Sequence, residues 1–232
     1  EQKAHFFVMD LPHSDAYFVR AYPAATAEAW MDGHVRAFAF FGGVPQSVLY
    51  DNDRCLVSKI QPDGTRIRAA LFSGLQSHYL FRDRYGRPGR GNDKGNVEGL
   101  VGYCRRNFLV PMPEFASWEE FNLWLEERCK ALWQELRHPE YADLTVAEML
   151  EHEQPSLMPM VAPFDGYVET LGKVSSTCLV TLDRNRYSVP CELVGQAVSL
   201  RLYPERIDIV AHDTRVASHP RNFSRQQTLY DW

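Results

Sequence analysis

A chain of 232 residues with 45% hydrophobic content is long enough for one or two domains with a sizeable buried core. Its net charge of −5 excludes a protein that binds polyanions through overall basicity, and the lack of any uninterrupted apolar run of about 18 residues excludes a spanning helix, so no membrane partner is expected. Five cysteines, Cys55, Cys104, Cys129, Cys178 and Cys191, are widely spaced and form no C-x-x-C, which predicts free thiols in a reducing cytoplasm and neither a disulfide frame nor a zinc site.

Taken in order, Ala4 to Met9 is a near-continuous apolar run that predicts a strand. A turn through Pro12, His13, Ser14 and Asp15 leads to a second strand at Tyr17 to Ala21. Thr26 can cap a helix running to about Phe41, with Trp30, His34, Ala37 and Phe41 on one stripe and Gly42-Gly43 as its stop. His34 on that stripe reads as a satisfied core residue. Ser47 to Tyr50 is a short β-prone run that ends abruptly in Asp51, Asn52 and Asp53. Such residues make strand-ending turns; equally, ligands in α/β sheets gather at the carboxyl ends of strands, where an Asp is well placed to bind metal. A short strand at Cys55 to Lys59, a helix over Ile67 to Tyr79 and a short strand at Leu80 to Arg82 are expected next.

Asp83 to Gly95 reads as a basic loop, with Arg84, Arg87, Arg90 and Lys94 among four glycines. It lacks the spacing of a phosphate-binding P-loop. Val97, Val101, Cys104 and Phe108 then recur at i, i+4, i+7 and i+11, one face of a helix. Glu98 and Arg105 lie on an adjacent, wetter face. A Glu in a first turn is favoured by the helix dipole, and it can also hold a cation near an anionic polymer. The charge is unevenly spread: Arg54 to Arg106 carries eleven Lys/Arg against four Asp/Glu, whereas Glu114 to Glu153 carries three against eleven. A protein that contacts a phosphate backbone needs a basic patch only where the phosphates go.

Pro111 and Pro113 break the chain. Ser117-Trp118-Glu119-Glu120 is a capping box opening a helix to about Leu136, with Phe121, Trp124, Leu125, Cys129, Leu132 and Trp133 as its apolar face. A second box, Thr145-Val146-Ala147-Glu148, opens a short helix to Glu151, and the acidic residues here predict a solvated outer face. Gln154 to Pro163 reads as a linker. Beyond it, Tyr167 to Leu171, Cys178 to Leu182, Tyr187 to Val189, Val198 to Leu202, Ile207 to Ala211 and Val216 to His219 are short strands that suggest a small β-barrel, studded with arginines. The expected organisation is a core over 1–152, a linker over 153–165 and a barrel over 166–232.

Leu49-Tyr50-Asp51-Asn52, followed by Asn92-Asp93-Lys94-Gly95-Asn96-Val97-Glu98-Gly99-Leu100-Val101-Gly102-Tyr103 and Arg105-Arg106-Asn107-Phe108, resembles the transposases of IstA-type insertion sequences. These belong to the retroviral-integrase-like superfamily, whose active site is an Asp-Asp-Glu set of carboxylates. Phe40-Phe41-Gly42-Gly43-Val44-Pro45 and Asn185-Arg186-Tyr187-Ser188-Val189-Pro190 extend the likeness over nearly the whole chain. The resemblance implies an α/β fold, an RNase-H-like integrase core with a mixed sheet flanked by helices, followed by a small C-terminal β-barrel. It makes Asp51 the second catalytic carboxylate and Glu98 the third, holding two Mg²⁺ ions for which Mn²⁺ substitutes, roughly 3.5–4 Å apart. Lys94, Arg105 and Arg106 would hold DNA phosphate. The implied chemistry is cleavage at transposon ends and strand transfer into target DNA, by a homo-oligomer on DNA, with an AAA+ ATPase helper, in a bacterial cytoplasm.

One departure matters. The runs at Ala4 to Met9 and Tyr17 to Ala21 look like the second and third strands of such a core, so the first strand and its Asp are expected upstream of residue 1. Asp10 is the only other strand-end candidate for that carboxylate, and Asp53 is the alternative to Asp51. A non-catalytic DNA-binding or assembly fragment is the competing expectation, and a nuclease that cannot join strands is a third.

Overall fold

The computed structural model describes residues 3–50, 55–60, 66–85, 102, 108–110 and 113–231. The chain opens as a hairpin in which β1 (His5–Leu11) pairs antiparallel with β2 (Ala16–Tyr22), from His5↔Tyr22 to Leu11↔Ala16. Asp15 closes the turn at φ 59°, a left-handed conformation that Asp tolerates. Nearly every residue of β2 is buried, which accounts for its continuous apolar stretch.

Helix α1 (Ala27–Phe41) has the caps its sequence announces. The Thr26 hydroxyl accepts from the Ala29 N–H. Gly42, at φ 83°, and Gly43 donate to the carbonyls of Ala39 and Phe38, a paired closure that requires the left-handed backbone glycine adopts freely. β3 (Ser47–Tyr50) pairs in parallel with β6 (Arg82–Tyr85), and β4 (Val57–Ile60) forms a hairpin with β5 (Arg66–Arg68).

Between them, α2 (Ala70–Tyr79) starts three residues later than the pattern predicts, because Arg66–Arg68 has found a strand partner in β4. Leu80 is not in a strand either. It takes the left-handed conformation (φ 61°) that closes α2, its N–H bonding the Gln76 carbonyl at 2.8 Å, and the strand begins at Arg82.

Helix α3 (Trp118–Glu135) is capped by the Ser117 hydroxyl, but the Glu120 carboxylate takes the Ala116 N–H, one residue earlier than a capping box would have it. Leu125, Cys129, Leu132 and Trp133 are buried as expected, and so is Asn122. Its amide oxygen accepts from the Ala21 N–H (2.7 Å) and its amide nitrogen donates to the Ala21 carbonyl (3.0 Å), so one side chain occupies the outer edge of β2 as a neighbouring strand would. Helix α4 (Val146–Glu153) carries the complete Thr145/Glu148 capping box and runs two residues past the expected end. Along these helices Glu119, Glu120, Glu127, Glu135, Glu148 and Glu151 are exposed, the solvated outer face anticipated from their charge.

Phe18, Met31, Phe38, Phe41, Leu75 and Leu125 lie in one core built from these elements. The segment read as a linker is laid along this core. Val44 and Met158 form a β-bridge, and Leu157, Met160 and Phe164 pack inward. Among the described residues the strands of this part stand as three separate pairs, β1–β2, β3–β6 and β4–β5, and no continuous mixed sheet joins them.

The remaining strands surround a second core that includes Tyr187, Leu200, Ile207 and Ile209. β7 (Val168–Lys173), β10 (Ala197–Leu202), β11 (Arg206–Ala211) and β12 (Thr214–Pro220) form an antiparallel sheet in the order β12-β11-β10-β7. β8 (Leu179–Leu182), β9 (Asn185–Ser188) and β13 (Thr228–Leu229) form another in the order β13-β9-β8. The expected barrel is corrected accordingly. The described strands close no hydrogen-bonded cylinder, and the two sheets instead share one apolar core as layers. They approach closely at Gly172, where a Cβ would come within 2.4 Å of Val180.

Candidate active site

β3 and β6 run in parallel and in register, Ser47↔Arg82, Val48↔Asp83, Leu49↔Arg84 and Tyr50↔Tyr85. Parallel strands deliver their carboxyl ends to the same edge, the position at which α/β sheets bind ligands. The residue after Tyr50 is Asp51, and Gly86 opens the segment that carries Lys94 and Glu98. Asp51, Asp53, Lys94, Glu98, Arg105 and Arg106 all lie outside the described residues. What the structure gives is the platform that leads into them.

The end of β3 is anchored from below. The Tyr50 hydroxyl donates to Nε2 of His34 (2.9 Å), and His34 Nδ1 donates to the Trp30 carbonyl (2.6 Å). Both ring nitrogens are therefore used, with Nδ1 bearing the proton. His34 is fully buried among the rings of Phe7, Trp30, Phe38, Tyr50 and Phe72. Burial drives its pKa from 6.5 to about 4, so it is neutral at pH 7. The Tyr50 phenol is pushed well above its ordinary value, by burial first and by Tyr85 and Asp83 next.

β6 contributes a second polar anchor that the sequence reading missed. The Asp83 side chain is 5% exposed and accepts two hydrogen bonds from Arg68 (2.7 Å each) and one from Gln76 (2.6 Å). Burial pulls its pKa up, but the bonds from Arg68, Gln76 and Tyr85 outweigh it and hold the carboxyl at about 2. Asp83 thus ties β5, α2 and β6 together. No spacing in the sequence marks this pair, since Arg68 and Asp83 are fifteen residues apart on different strands.

Asp10 is placed elsewhere. β3 starts near the C-terminal end of α1, where Val44 bridges Met158, and Ser14 of the hairpin turn bonds Glu153 at the same end. Tyr50 ends β3 beside His34, eight residues back from Gly42 along α1, about 12 Å. Asp10 pairs with Tyr17 next to the hairpin turn, so it sits at the end of the fold where β3 begins. Burial raises its pKa. Among the described residues no group of three or more His, Cys, Asp or Glu side chains stands where it could hold a metal ion. Among the described residues Lys59 on β4, Arg68 on β5, and Arg82 and Arg84 on β6 are exposed.

Residues 158–231 match the family of the Mu transposase C-terminal domain. The chain is 42% identical over 227 residues to a transposase of Aminobacter aminovorans, covering 96% of this chain and 44% of that protein. It is 41% identical over 227 residues to a transposase for insertion sequences IS1326/IS1353 of Pseudomonas aeruginosa, covering 96% of this chain and 45% of that one. The transposase for insertion sequence element IS21 of Pseudomonas aeruginosa is 33% identical over 219 residues, with 94% of this chain and 56% of that protein covered. The chain thus spans about half the length of the curated relatives it matches. Over almost all of its own length the chain is thus similar to the same kind of protein each time, transposases of insertion sequences that include IS21.

Proposed function

We propose that this chain forms part of the catalytic core and the C-terminal region of a transposase that cuts DNA at insertion-sequence ends and joins the freed ends to target DNA. The observation that carries the reading is the parallel β3–β6 pair. Its two carboxyl ends lead directly into Asp51 and into the segment of Glu98. The relatives, all named as transposases, support the same chemistry.

In this reading Asp51 and Glu98 supply hard carboxylate oxygens, a donor set that suits Mg²⁺ or Mn²⁺. Two such ions supply activation of the attacking water or 3′-hydroxyl and stabilisation of the leaving oxygen. Asp83, the buried acid on the neighbouring strand, does not join the set, because Arg68 and Gln76 already occupy its oxygens. The role of Tyr50 and His34 is to fix the strand end that bears Asp51. Lys94, Arg105 and Arg106, together with the exposed Arg82 and Arg84, would neutralise DNA phosphate.

The first carboxylate of the set has a place in the same scheme. Among the described residues β1 and β3 each have a strand partner on one side only, and both lie against α1, Phe7 and Tyr50 flanking the His34 ring at 5.0 and 5.5 Å. A further strand between them would merge the two pairs into an RNase-H-like sheet, and an Asp on it would complete the site. Assembly of several copies on DNA and work with an AAA+ ATPase helper belong to the same proposal.

Calorimetric titration of Mn²⁺ into this chain and its Asp51→Ala and Glu98→Ala variants tests the reading. Binding that disappears in both variants is the expected result. Binding that persists unchanged in both would rule out these two carboxylates as the ligands. Strand-transfer assays on the full-length protein with the same substitutions then separate joining from cleavage alone.

A further inference from the structure

The two halves of the chain meet over the first turns of α1. Gly166, where the chain leaves the first core, is pressed against the helix so closely that a Cβ there would come within 2.7 Å of the Met31 Cβ. One turn earlier, Glu28 is 3% exposed and forms a salt bridge with Arg221, just past the end of β12. The same guanidinium donates to the Tyr203 carbonyl (2.9 Å) and lies over the Phe223 ring (4.8 Å). The Arg221 N–H donates to the Glu205 carbonyl (2.8 Å). Arg221 therefore gathers the β10–β11 turn, the end of β12 and the start of α1 at one point.

The next positions along the helix hold a cluster of charges whose field reaches the β10–β11 turn. Asp32 accepts from Tyr22 (2.7 Å) and pairs with Arg20 and Arg36 (3.3 Å each), and Arg20 also reaches Glu126 (3.7 Å). Glu205 of the β10–β11 turn is half-buried within the fields of Arg20, Asp32, Arg36 and Glu119. Residues 28, 31, 32 and 36 fall at helical spacing, so one stripe of α1 faces the β-rich half while another faces the first core. The Glu28 and Arg221 side chains are 4% and 8% exposed. Water cannot compensate either charge if its partner leaves.

We infer that Glu28 and Arg221 form a latch that sets the orientation of the C-terminal sheets on the core, so that the two halves move as one body and residues 154–165 do not act as a hinge while it is closed. The inference is independent of the chemistry assigned to the strand ends.

Limited chymotrypsin digestion of the full chain, with cut sites identified by mass spectrometry, tests it. Glu28→Ala and Arg221→Met should each raise cleavage within residues 154–167 by at least about tenfold, since a stranded buried charge favours the open form. The double variant Glu28→Met with Arg221→Met strands no charge and should return to within about threefold of the unsubstituted chain. Where Glu28→Ala does not fold, Glu28→Gln, which keeps an acceptor for Arg221, gives the same comparison. Folded single variants cleaved no faster than the unsubstituted chain would overturn the latch, as would a double variant cleaved as fast as the singles. Cuts spread through both cores, with loss of circular dichroism in Glu28→Gln as well, would also overturn it, because the pair would then be a requirement for folding.

Discussion

Burial among aromatic rings keeps His34 neutral near pH 7, and this has a cost at low pH. Its folded pKa is about 4 against 6.5 in an unfolded chain. Below pH 6.5 the unfolded chain takes up a proton that the native state refuses, so stability is complete above 6.5 and is lost as pH falls toward 4. The loss should be roughly 3 kcal/mol, because the site is enclosed. Asp83 acts in a lower window. Its pKa is depressed from 3.8 to about 2, so its contribution is present above 3.8 and fades as pH falls through that range. Arg68 is 43% exposed, so solvent screens that second step and it should be the smaller. Urea denaturation from pH 7 to pH 3 should show most of the decline between 6.5 and 4, and His34→Gln should flatten that part of the curve. A decline unchanged by His34→Gln would remove His34 as its source. Tyr50→Phe leaves Nε2 of His34 without its donor and should cost about 1–3 kcal/mol at pH 7, read as a shift in urea midpoint.

At the level of elements, α3 stabilises the hairpin through one polar residue in an apolar face. Asn122→Ala strips the Ala21 N–H and carbonyl of their buried partners and should destabilise the chain by about 2–4 kcal/mol. Asn122→Asp keeps an acceptor for the N–H but sets a carboxylate against the carbonyl, so it should not rescue. Equal stability of the asparagine chain and the alanine variant would show that the edge of β2 needs no cover. The residue could have been flagged from sequence as a polar interruption at a buried helical position, but its partner a hundred residues away could not. Local signals served better. Thr26, Gly42 and Gly43 fixed both ends of α1, and the six alternating runs after Gly166 lie where strands form. The pattern failed where pairing decides. Arg66–Arg68 became a strand because Val57–Ile60 was there to meet it, and the expected barrel resolved into two sheets because register between distant strands is not written in either one. β3 was legible from its β-prone run, whereas Asp51 after it lies outside the described residues. The anchors beneath them, His34 to Tyr50 and Arg68 to Asp83, depend on tertiary neighbours and were not.

Across the whole molecule, charge is divided rather than balanced. The net value is −5, yet the acidic residues of α3 and α4 lie on the outer helices, while Arg82 and Arg84 are exposed on β6, which leads into the segment of Glu98, and Lys59 and Arg68 are exposed on the β4–β5 pair. A polyanion approaching the strand ends would meet the basic part of this surface. Under the proposed function, duplex DNA binding should therefore weaken steeply with salt, with a log–log slope of about −0.9 for each phosphate neutralised. Arg82→Gln and Arg84→Gln together should make that slope shallower by one to two, roughly, if each side chain holds a phosphate. Glu119→Gln with Glu127→Gln, on the far acidic face, raises net charge by the same amount in the opposite direction and should leave the slope unchanged. Fluorescence anisotropy across a salt series distinguishes the two cases. Equal and opposite shifts from the two double variants would mean that only net charge matters, and that the basic side chains beside the strand ends do not touch DNA.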